Sequence, residues 1–359
     1  MPKSAVAFSP PARYKPTGEI LKGGQGDVHI CNDGSLERAV AIKVFHDVSD
    51  VTALMKEIEG RAKISSKHVA ELYECLYVGS TPLALVIEYV PGESLVDVST
   101  HPADLAGKIL LLYQIACGIA DIHAAGVIHR DIKPANMKVD GAGILKIFDL
   151  GISNLDASAA STVGGAGTYI YRAPEIYNVP TVVTPAADVY AIGVIAWYLF
   201  TQKFPSALAE IPPQSSGKAL PSLQSVVPEL APAMRVLDQT LHVNPHDRPA
   251  AATVRDLLGR YITHDRRRGV FAHHTGVYEL VKMGNSTRID IKPYGTLRVA
   301  YTDGRFVVRE VTGSVFVNNA PAVVDEELPD SCVLTFGPPE AGWRRVFVPF
   351  DVSQPGIVL

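Results

Sequence analysis

The segment at residues 129–136, HRDIKPAN, is the most informative stretch of the sequence. Asp131 supplies a carboxylate that can accept the proton of an attacking hydroxyl. Lys133 supplies a cation that can neutralise a phosphoryl group in transfer, and Asn136 supplies an amide oxygen that can ligate a metal. Phosphoryl transfer needs little beyond positioning and charge neutralisation, so this spacing favours that chemistry over a solvated loop between a helix and a strand.

A second oxygen ligand for a metal is expected downstream of this segment. Asp149 ends the apolar strand in KIFDLG and precedes a glycine. A segment rich in Ser, Thr and Gly then leads to GTYIYRAPE, which Glu175 closes, and Arg248 lies further on in NPHDRPAA. None of these residues would indicate a function alone, but their order after HRDIKPAN favours a functional role over chance occurrence.

Glycines interrupt a strand-like segment near the N-terminus. Gly23, Gly24 and Gly26 lie in ILKGGQGDV at residues 20–28, where the backbone amides can approach a phosphate closely. Lys43 ends VAIK on the apolar strand that follows, where it could pair with nucleotide phosphates. Taken alone, a Gly-rich hairpin without a ligand and a surface lysine explain these features at least as well, but their order favours nucleotide binding.

The composition predicts an ordinary globular protein in a reducing compartment. Of the 359 residues, 47% are hydrophobic and 19% are charged, and the formal net charge of -4 gives no electrostatic reason to expect nucleic acid or anionic membrane as a partner. The longest apolar run, at residues 189–200, is too short to span a bilayer. We therefore expect a cytoplasmic protein without a membrane segment. The scattered cysteines, without a CxxC pair, indicate neither zinc nor disulfides: Cys31, Cys75, Cys117 and Cys332.

The pattern along the chain predicts a flexible arm and two domains. Residues 1–13 are rich in Pro and Ala and form the arm. Residues 14–262 form a first domain, with strands in its first part and helices, such as Leu105–Ala124, in its second. Residues 263–269 are a charged linker. Residues 270–359 form an all-β sandwich, in which the TDG turn between TLRVAY and RFVVREV is typical of a hairpin.

The motifs GGQGDV, VAIK, HRDIKPAN, DLG, APE and NPHDRP occur in this order within residues 14–262. Together they resemble the motifs of protein kinases, most closely those of the bacterial-type (Hanks-type) serine/threonine kinases. The resemblance implies an α+β bilobal protein kinase fold with a β-rich N-lobe and a helical C-lobe. It also implies ATP and Mg²⁺, or Mn²⁺ in its place, as cofactors. The implied reaction is transfer of the ATP γ-phosphate to Ser and Thr hydroxyls of protein substrates.

The resemblance assigns catalytic roles to residues of these motifs. Asp131 would be the catalytic base, and Lys133 would contact the γ-phosphate. Asn136 and Asp149 would bind the metal. Asp188, in ADVYAIGV, resembles the aspartate that supports the catalytic loop from behind.

The resemblance also implies a nucleotide site. Lys43 would hold the α- and β-phosphates and pair with a helix glutamate, which is Glu57 or, as the alternative, Glu59. Ile87 would be the gatekeeper next to the segment that reads adenine. The implied nucleotide-binding residues are Gly23, Gly24, Gly26, Val28, Ala41, Lys43, Glu88, Val90, Asn136 and Asp149.

Several positions depart from the family pattern. Leu21 replaces the first glycine of the phosphate loop, and Gln25 replaces the aromatic residue at its tip. Leu150 stands where DFG has phenylalanine, at a position that needs an apolar plug. Gly60 and Arg61 fit poorly into the apolar column that follows the helix glutamate. No residue that the chemistry requires is missing, which favours an active kinase.

Two other functions stay open. The alternative is a pseudokinase-like scaffold that signals through its C-terminal β-domain. A small-molecule phosphotransferase is disfavoured, because the APE segment and Arg248 resemble those of kinases with peptide acceptors. In such kinases Glu175 and Arg248 would form a buried ion pair of the large lobe.

Regulation by phosphorylation is implied by Arg130, which stands beside Asp131. An activation-loop phosphate would pair with this arginine. Thr162 is the favoured autophosphorylation site, with Ser161 and Ser158 as alternatives, and Thr168 resembles the threonine that lines the acceptor site. The sequence leaves the oligomeric state open.

Residues 270–359 resemble the later half of forkhead-associated (FHA) domains, through the DG turn and the VNNA turn that follows it. The residues that bind phosphothreonine in those domains are not matched. Asn285 stands where an arginine is expected after Gly284, and residues 313–315 do not match the asparagine motif. We therefore expect a degenerate FHA-like domain that docks a partner protein, a substrate or the kinase lobe.

Overall fold

The computed structural model of the protein describes residues 8–22, 26–46, 51–78, 81–150, 169–228, 231–263, 267–273 and 276–353. The chain divides into two compact units, Met1–Asp256 and Leu257–Leu359. This division falls shortly before residue 262, where we predicted the end of the first domain. The predicted boundaries themselves stay a prediction.

The first unit begins with an antiparallel sheet in the strand order β1-β2-β3-β5-β4. Helix α1, Val51–Ala62, packs against one face of this sheet, where its Leu54 and Ile58 join Ala41 and Phe45 in one cluster. Side chains alternate along a strand, so Lys43 lies on the same side of the sheet as Ala41 and Phe45, the side that faces α1. The strands are Tyr14–Lys22 (β1), Gly26–Asp33 (β2), Arg38–Phe45 (β3), Leu72–Val78 (β4) and Thr81–Glu88 (β5).

The rest of this unit is mainly helical, as predicted. Helix α2 spans Leu105–Ala124, the range read from the sequence, because Asp104 caps it through the amide of Gly107 at 2.8 Å. A short hairpin, β6 (Met137–Val139) and β7 (Leu145–Ile147), follows it. The remaining helices are Pro185–Thr201 (α3), Ala231–Thr240 (α4) and Ala251–Thr263 (α5), and α5 continues past Asp256 into the second unit.

The apolar run at residues 189–200 lies in α3 and is largely buried, as expected for a core helix. Among the described helices, α2 alone is long and apolar enough to cross a membrane, judged by length and composition. Within the most apolar part of that helix, 61% is buried inside the protein, which is typical of a core helix.

The second unit consists of two sheets that share one hydrophobic core. The larger has the order β14-β13-β15-β16-β8-β9, and the smaller has the order β10-β11-β12. Phe271 and Phe350 from the larger sheet meet Phe306 from the smaller one. The strands are Arg268–His273 (β8), Gly276–Leu280 (β9), Ser286–Ile291 (β10), Gly295–Thr302 (β11), Arg305–Gly313 (β12), Val315–Val317 (β13), Ala320–Pro321 (β14), Ser331–Phe336 (β15) and Val346–Ser353 (β16).

The predicted hairpin around TDG is confirmed. Strands β11 and β12 pair antiparallel up to Thr302 and Arg305. Asp303 and Gly304 form the turn with φ angles of 52° and 70°, the left-handed values that a two-residue hairpin turn requires. The all-β character of the second unit is therefore present, whereas the closer likeness to FHA domains stays a prediction.

The end of the segment predicted as a linker belongs to the second unit. Arg267 is buried, and its guanidinium donates to the carbonyl oxygen of Gly304 at 2.7 Å and to Asp330 at 2.6 Å. Strand β8 begins at the next residue, Arg268. A charged sequence alone did not reveal this burial, because the partners of Arg267 lie far along the chain.

Replacing Gly193 with alanine should destabilise the first unit. Gly193 lies where α3 meets α4, and an added Cβ would lie 2.6 Å from Leu241 Cγ and closer still to Thr240 Oγ1. Overpacking costs about 1–3 kcal/mol, which exceeds the gain of about 1 kcal/mol in helix propensity. Urea unfolding of Gly193→Ala should show this loss. Gly141→Ala, at a position with open space, is the control, and equal stability of the two variants would contradict the packing argument.

Candidate active site

A buried carboxylate fixes the backbone of the HRD segment. Asp188, in the first turn of α3, is 2% exposed. Its two oxygens accept the amides of His129 and Arg130, each at 2.8 Å. Arg130 has a φ of 68°, a conformation that is unfavourable for a residue with a side chain. The two hydrogen bonds to a charged acceptor stabilise this turn and thereby set the direction of the residues that follow.

The next residues form a hydrogen-bonded cluster. Lys133 Nζ lies 2.7 Å from Asp131 Oδ2, and Asn136 Nδ2 donates to the Asp131 carbonyl oxygen at 2.8 Å and to its carboxylate at 3.1 Å. Asn136 is buried, so its amide orientation is fixed by these bonds. Because its nitrogen points to Asp131, its Oδ1 remains an acceptor on the other side.

His129 joins this loop to the end of β7. Its Nδ1 accepts the amide of Asp131 at 3.3 Å, and its Nε2 lies 3.2 Å from the carbonyl oxygen of Phe148. Burial lowers the pKa of His129, so the ring is neutral. A neutral ring with its proton on Nε2 satisfies both contacts. Asp131 and Asp149 are thus held by one network.

Lys43 and Asp149 form an ion pair between β3 and the end of β7. Burial alone would raise the pKa of the Asp149 carboxyl, but the charge of Lys43 and its hydrogen bond hold the pKa below the usual value, with a smaller contribution from the charge of Arg61. Asp149 is therefore ionised. Its φ of 59° is left-handed, like that of Arg130.

Leu150 occupies the apolar position predicted for it. It is 2% exposed and clusters with Val69 and Ile122, against which Ile64 and Val127 also pack. The leucine therefore anchors the chain immediately after Asp149 in the core. This fits the requirement for an apolar plug rather than for an aromatic ring.

The strands next to Lys43 form the wall implied for a nucleotide. Val28 is paired with Lys43 across β2 and β3, and Gly26 opens β2 so close to Val44 that an added Cβ would overlap its carbonyl oxygen. Ala41 is buried on the same face. The structure thus brings Gly26, Val28 and Ala41 close to Lys43, whereas their role in nucleotide binding stays a prediction.

The segment after β5 is held from two sides. The Glu88 amide donates to the Glu71 carbonyl oxygen at 2.8 Å, and its side chain binds Lys146 of β7 at 2.9 Å. The Val90 carbonyl oxygen accepts from Lys138 Nζ at 3.2 Å. Both predicted residues therefore lie in a rigid connection, Glu88 at the end of β5 and Val90 just after it.

Several predicted site residues lie outside the described residues. They include Gly23 and Gly24 of the phosphate loop. Glu57 lies within α1, but its side chain is outside the description. Also outside are the loop acceptors and the threonine of the GTYIYRAPE motif, namely Ser158, Ser161, Thr162 and Thr168.

Comparison with known proteins decides the family. A model of the protein kinase domain matches residues 14–257. The drp72 protein of Corynebacterium efficiens, named among serine/threonine-protein kinases, is 37% identical over 196 residues, which cover 51% of this chain and 38% of that protein. The serine/threonine-protein kinase PknA of Corynebacterium glutamicum is 34% identical over 209 residues, covering 54% of this chain and 44% of that protein. The chain belongs to the protein kinase family.

A further relative of the kinase is PknL of Mycobacterium tuberculosis, a serine/threonine-protein kinase that is 30% identical over 203 residues. That match covers 54% of this chain and 50% of PknL. The kinase thus spans about half or less of the length of these curated relatives.

The predicted ion pair of the kinase's large lobe is present. Arg248 binds both oxygens of Glu175, at 2.7 and 2.8 Å, and both residues are buried. Arg248 also donates to the carbonyl oxygens of Ala186, His242 and Val243. All the N–H donors of the Arg248 guanidinium are therefore engaged, and they connect segments that pack around α3. This is a structural role.

Several features of the site, the Lys43–Asp149 ion pair among them, were not predicted. His123, in the last turn of α2, lies 2.9 Å from Asp188 through its Nε2. Lys146 pairs with Glu88, and Arg61 is buried where its charge reaches Asp149. His123 stands shortly before the HRD segment in DIHAAGVIHRD, which is the one sequence signal that could have revealed its contact.

Replacing Asp188 with asparagine should destabilise the kinase. The amide nitrogen of asparagine would face one of the two backbone amides, so a donor would meet a donor. Losing one hydrogen bond to a charged acceptor costs about 1.5–3 kcal/mol of unfolding free energy, which urea unfolding can measure. Asp104→Asn is the matched control, because asparagine caps α2 as well as aspartate does. Equal losses in both variants would contradict this role of Asp188.

His68 should make stability depend on pH. Its Nδ1 donates to the Leu145 carbonyl oxygen at 3.1 Å, and burial lowers the pKa of the ring below its usual value of about 6.5. The unfolded chain therefore binds more protons than the folded one as pH falls through 6.5, so stability decreases towards acid. In His68→Asn, whose amide can keep the donor, unfolding free energy should fall less between about pH 7.5 and about pH 5.5. His129 contributes equally in both proteins, and identical slopes would contradict the assignment.

Proposed function

We propose that this kinase transfers the γ-phosphoryl group of ATP to serine and threonine hydroxyls of proteins. The observation that carries the proposal is the single network that holds Asp131, Lys133 and Asn136 together and links them through His129 to the strand end bearing Asp149. A base, a cation and two oxygen ligands within one rigid network are what phosphoryl transfer uses.

Asp131 is the proposed general base. It accepts the proton of the substrate hydroxyl as the oxygen forms a bond to the γ-phosphorus and the bond to the β–γ bridging oxygen breaks. Lys133, bonded to Asp131, places its charge where the transferred group's negative charge lies. The cluster supports this assignment because the asparagine bond orients the Asp131 carboxylate before any substrate arrives.

Asn136 and Asp149 fit a divalent metal ion. They offer an amide oxygen and an ionised carboxylate, the hard ligands that Mg²⁺ prefers, and a site with two protein ligands suits an ion that keeps waters and substrate phosphates. Mn²⁺ is compatible with the same donors. The ion would supply charge neutralisation at the phosphates. Lys43 would add a cation beside Asp149, and Glu57, or Glu59 as the alternative, would hold that lysine from α1.

The proposed nucleotide site uses the wall formed by β2 and β3. Gly26 and Val28 would cover the phosphates and sugar, Ala41 would contact adenine, and backbone groups of Glu88 and Val90 would read its edge. The bonds that fix Glu88 and Val90 to β7 and β6 support this proposal, because they make the connection rigid. Gly23 and Gly24 would complete the phosphate loop.

Autophosphorylation of the activation loop is part of the proposal. Arg130 Nε is buried and has no hydrogen-bond partner among the described residues. A phosphate on Thr162, or alternatively on Ser161 or Ser158, would supply an acceptor for it.

We also propose a cytoplasmic location for the kinase and a protein partner for its second unit.

Kinase activity can be tested by intact-mass spectrometry after incubation with ATP and Mg²⁺. The parent should gain phosphate, and an added protein substrate should be labelled on serine or threonine. Asp131→Asn should slow transfer by about 10²- to 10⁴-fold, which is the usual effect of losing a general base. Peptide mapping then locates the modified residue.

Asp104→Asn is again the matched control, since it changes a carboxylate in the same way at a helix cap remote from the cluster. It should retain the parent's rate. If neither the parent nor this control gains phosphate or labels a substrate, the kinase proposal fails and the scaffold alternative replaces it. If Asp131→Asn matches the parent, the assignment of the base is wrong.

A further inference from the structure

Strand β10, Ser286–Ile291, is an edge strand of the smaller sheet in the second unit. On one side it pairs with β11, in a register that does not shift along the strand. Among the described residues, no other strand pairs with its second side. In an antiparallel sheet, every second residue of such a strand points its amide and its carbonyl group away from its one partner. The second side of β10 therefore offers backbone donors and acceptors to another strand.

The other edge strands of this unit are less open to pairing. Beside β12, Val308 donates its amide to the Glu326 carbonyl oxygen at 2.9 Å and accepts the Asp325 amide at 2.8 Å. Strand β14 has only two residues. Strand β9 has five, and its one charged residue, Glu279, already lies 3.8 Å from Arg268. Strand β10 has six residues, with neither a proline nor a bulge among them.

Two opposite charges lie on the outer face of β10. Arg288 and Asp290 are exposed, whereas Ile289 between them is buried in the core that the two sheets share. The Asp290 carboxylate accepts the Thr296 hydroxyl at 3.0 Å, which holds it on this face. Arg288 lies opposite another arginine, Arg298 of β11, so its own sheet places a like charge beside it. A carboxylate on the open side of β10 would offset this repulsion.

A second copy of β10 supplies that carboxylate. When two β10 strands pair antiparallel about Ile289, Arg288 of each strand lies opposite Asp290 of the other, which gives two ion pairs related by the two-fold axis. Residues directly opposite each other lie on the same face, so this register also keeps the apolar sides of both strands together. The two nearest registers that keep the faces together place Arg288 opposite Arg288 or Asp290 opposite Asp290. The charges therefore favour one register and disfavour its neighbours.

We propose that the protein self-associates through β10, so that the smaller sheets of two chains join into one continuous sheet. The protein partner of the second unit is then a second copy of the chain, whether or not the chain transfers phosphate. Interfaces below about 1,200 Å² are typical of weak and transient complexes, and a single strand pair of six residues belongs to this class. Dimerisation should therefore need high protein concentrations, and salt should weaken it because its ion pairs are solvated.

Analytical ultracentrifugation of the full chain over a concentration series tests the dimer. The parent should shift from monomer to dimer as its concentration rises. Arg288→Asp leaves two acidic side chains on the outer face of β10, and Asp290→Arg leaves two basic ones, so each variant alone replaces both ion pairs by like-charge pairs. Each should weaken self-association by about tenfold or more.

Arg305→Asp is the matched control, because Arg305 is an exposed arginine of the same unit that lies at the start of β12 and not in β10. It changes the net charge as Arg288→Asp does and should associate like the parent.

An equimolar mixture of the two β10 variants gives the sharpest result. Chains with Arg288→Asp and chains with Asp290→Arg carry opposite charges at both paired positions. The mixture should therefore dimerise at concentrations at which neither variant does so alone, which also shows that both variants are folded. Combining the two substitutions in one chain should restore self-association for the same reason.

Several results would overturn the proposal. A parent that stays monomeric at every concentration, at low as well as physiological salt, excludes the dimer. A dimer that both charge reversals leave as stable as that of the parent forms through another surface. Equal weakening by Arg305→Asp assigns the effect to net charge. A mixture that does not dimerise, although circular dichroism shows both variants folded like the parent, excludes pairing through β10.

The sedimentation measurement uses no ATP and is therefore independent of the proposed kinase activity. If the parent and the mixture dimerise while no form transfers phosphate, the β10 interface stands and the kinase proposal fails. If phosphate transfer is normal and the parent stays monomeric, the kinase proposal stands and the β10 interface fails.

Discussion

The catalytic loop depends on the carboxylate of Asp188. A left-handed turn at Arg130 is unfavourable by itself, and two buried amides without acceptors would add further cost. Asp188 reduces both costs because its two oxygens accept the two amides at once. It lies in the first turn of α3, where the helix dipole favours a negative charge. His123 makes a further contact to the same carboxylate from α2. The positions of Asp131 and Asn136 therefore follow from the packing of α2 against α3.

The local features of this kinase were readable from the sequence, and the long-range ones were not. Helix Leu105–Ala124 could be predicted from the helical spacing of its apolar residues, and the TDG hairpin from the residues of its turn. Both signals come from residues that are close together along the chain. The ion pair of Lys43 with Asp149 and the strand order of the first sheet were not predicted, since nothing local joins residues so far apart. Arg267 was misread for the same reason. Its charge indicates a solvated linker until its distant partner Asp330 is known.

Helix α1 ends in a region where apolar packing and charge compete. Leu150 packs with Ile64 and Val69 and so fixes the chain just after β7 in an apolar cluster. An apolar residue is what the sequence analysis expected at position 150. Arg61, three residues before Ile64, is buried in the last turn of α1. Its charge lowers the pKa of the Asp149 carboxyl, so movement of the end of α1 has an electrostatic as well as a steric effect on that carboxylate.

In the second unit, the residues that determine the fold are different from the loop residues that could bind a ligand. Its surface arginine–carboxylate pairs, such as Arg298 with Glu310 at 2.8 Å across β11 and β12, are solvated and contribute little to stability. The apolar core shared by the two sheets therefore determines the fold, and the loops outside that core are free to differ. The predicted likeness to FHA domains rests on strands and on the turns at Gly304 and Asn318, which belong to this framework. The predicted loss of phosphothreonine binding rests instead on loop side chains such as that of Asn285, which the core does not specify. A shared framework with different loop chemistry is therefore physically consistent, and the protein partner that we propose for this unit should be sought at surfaces other than a phosphothreonine site.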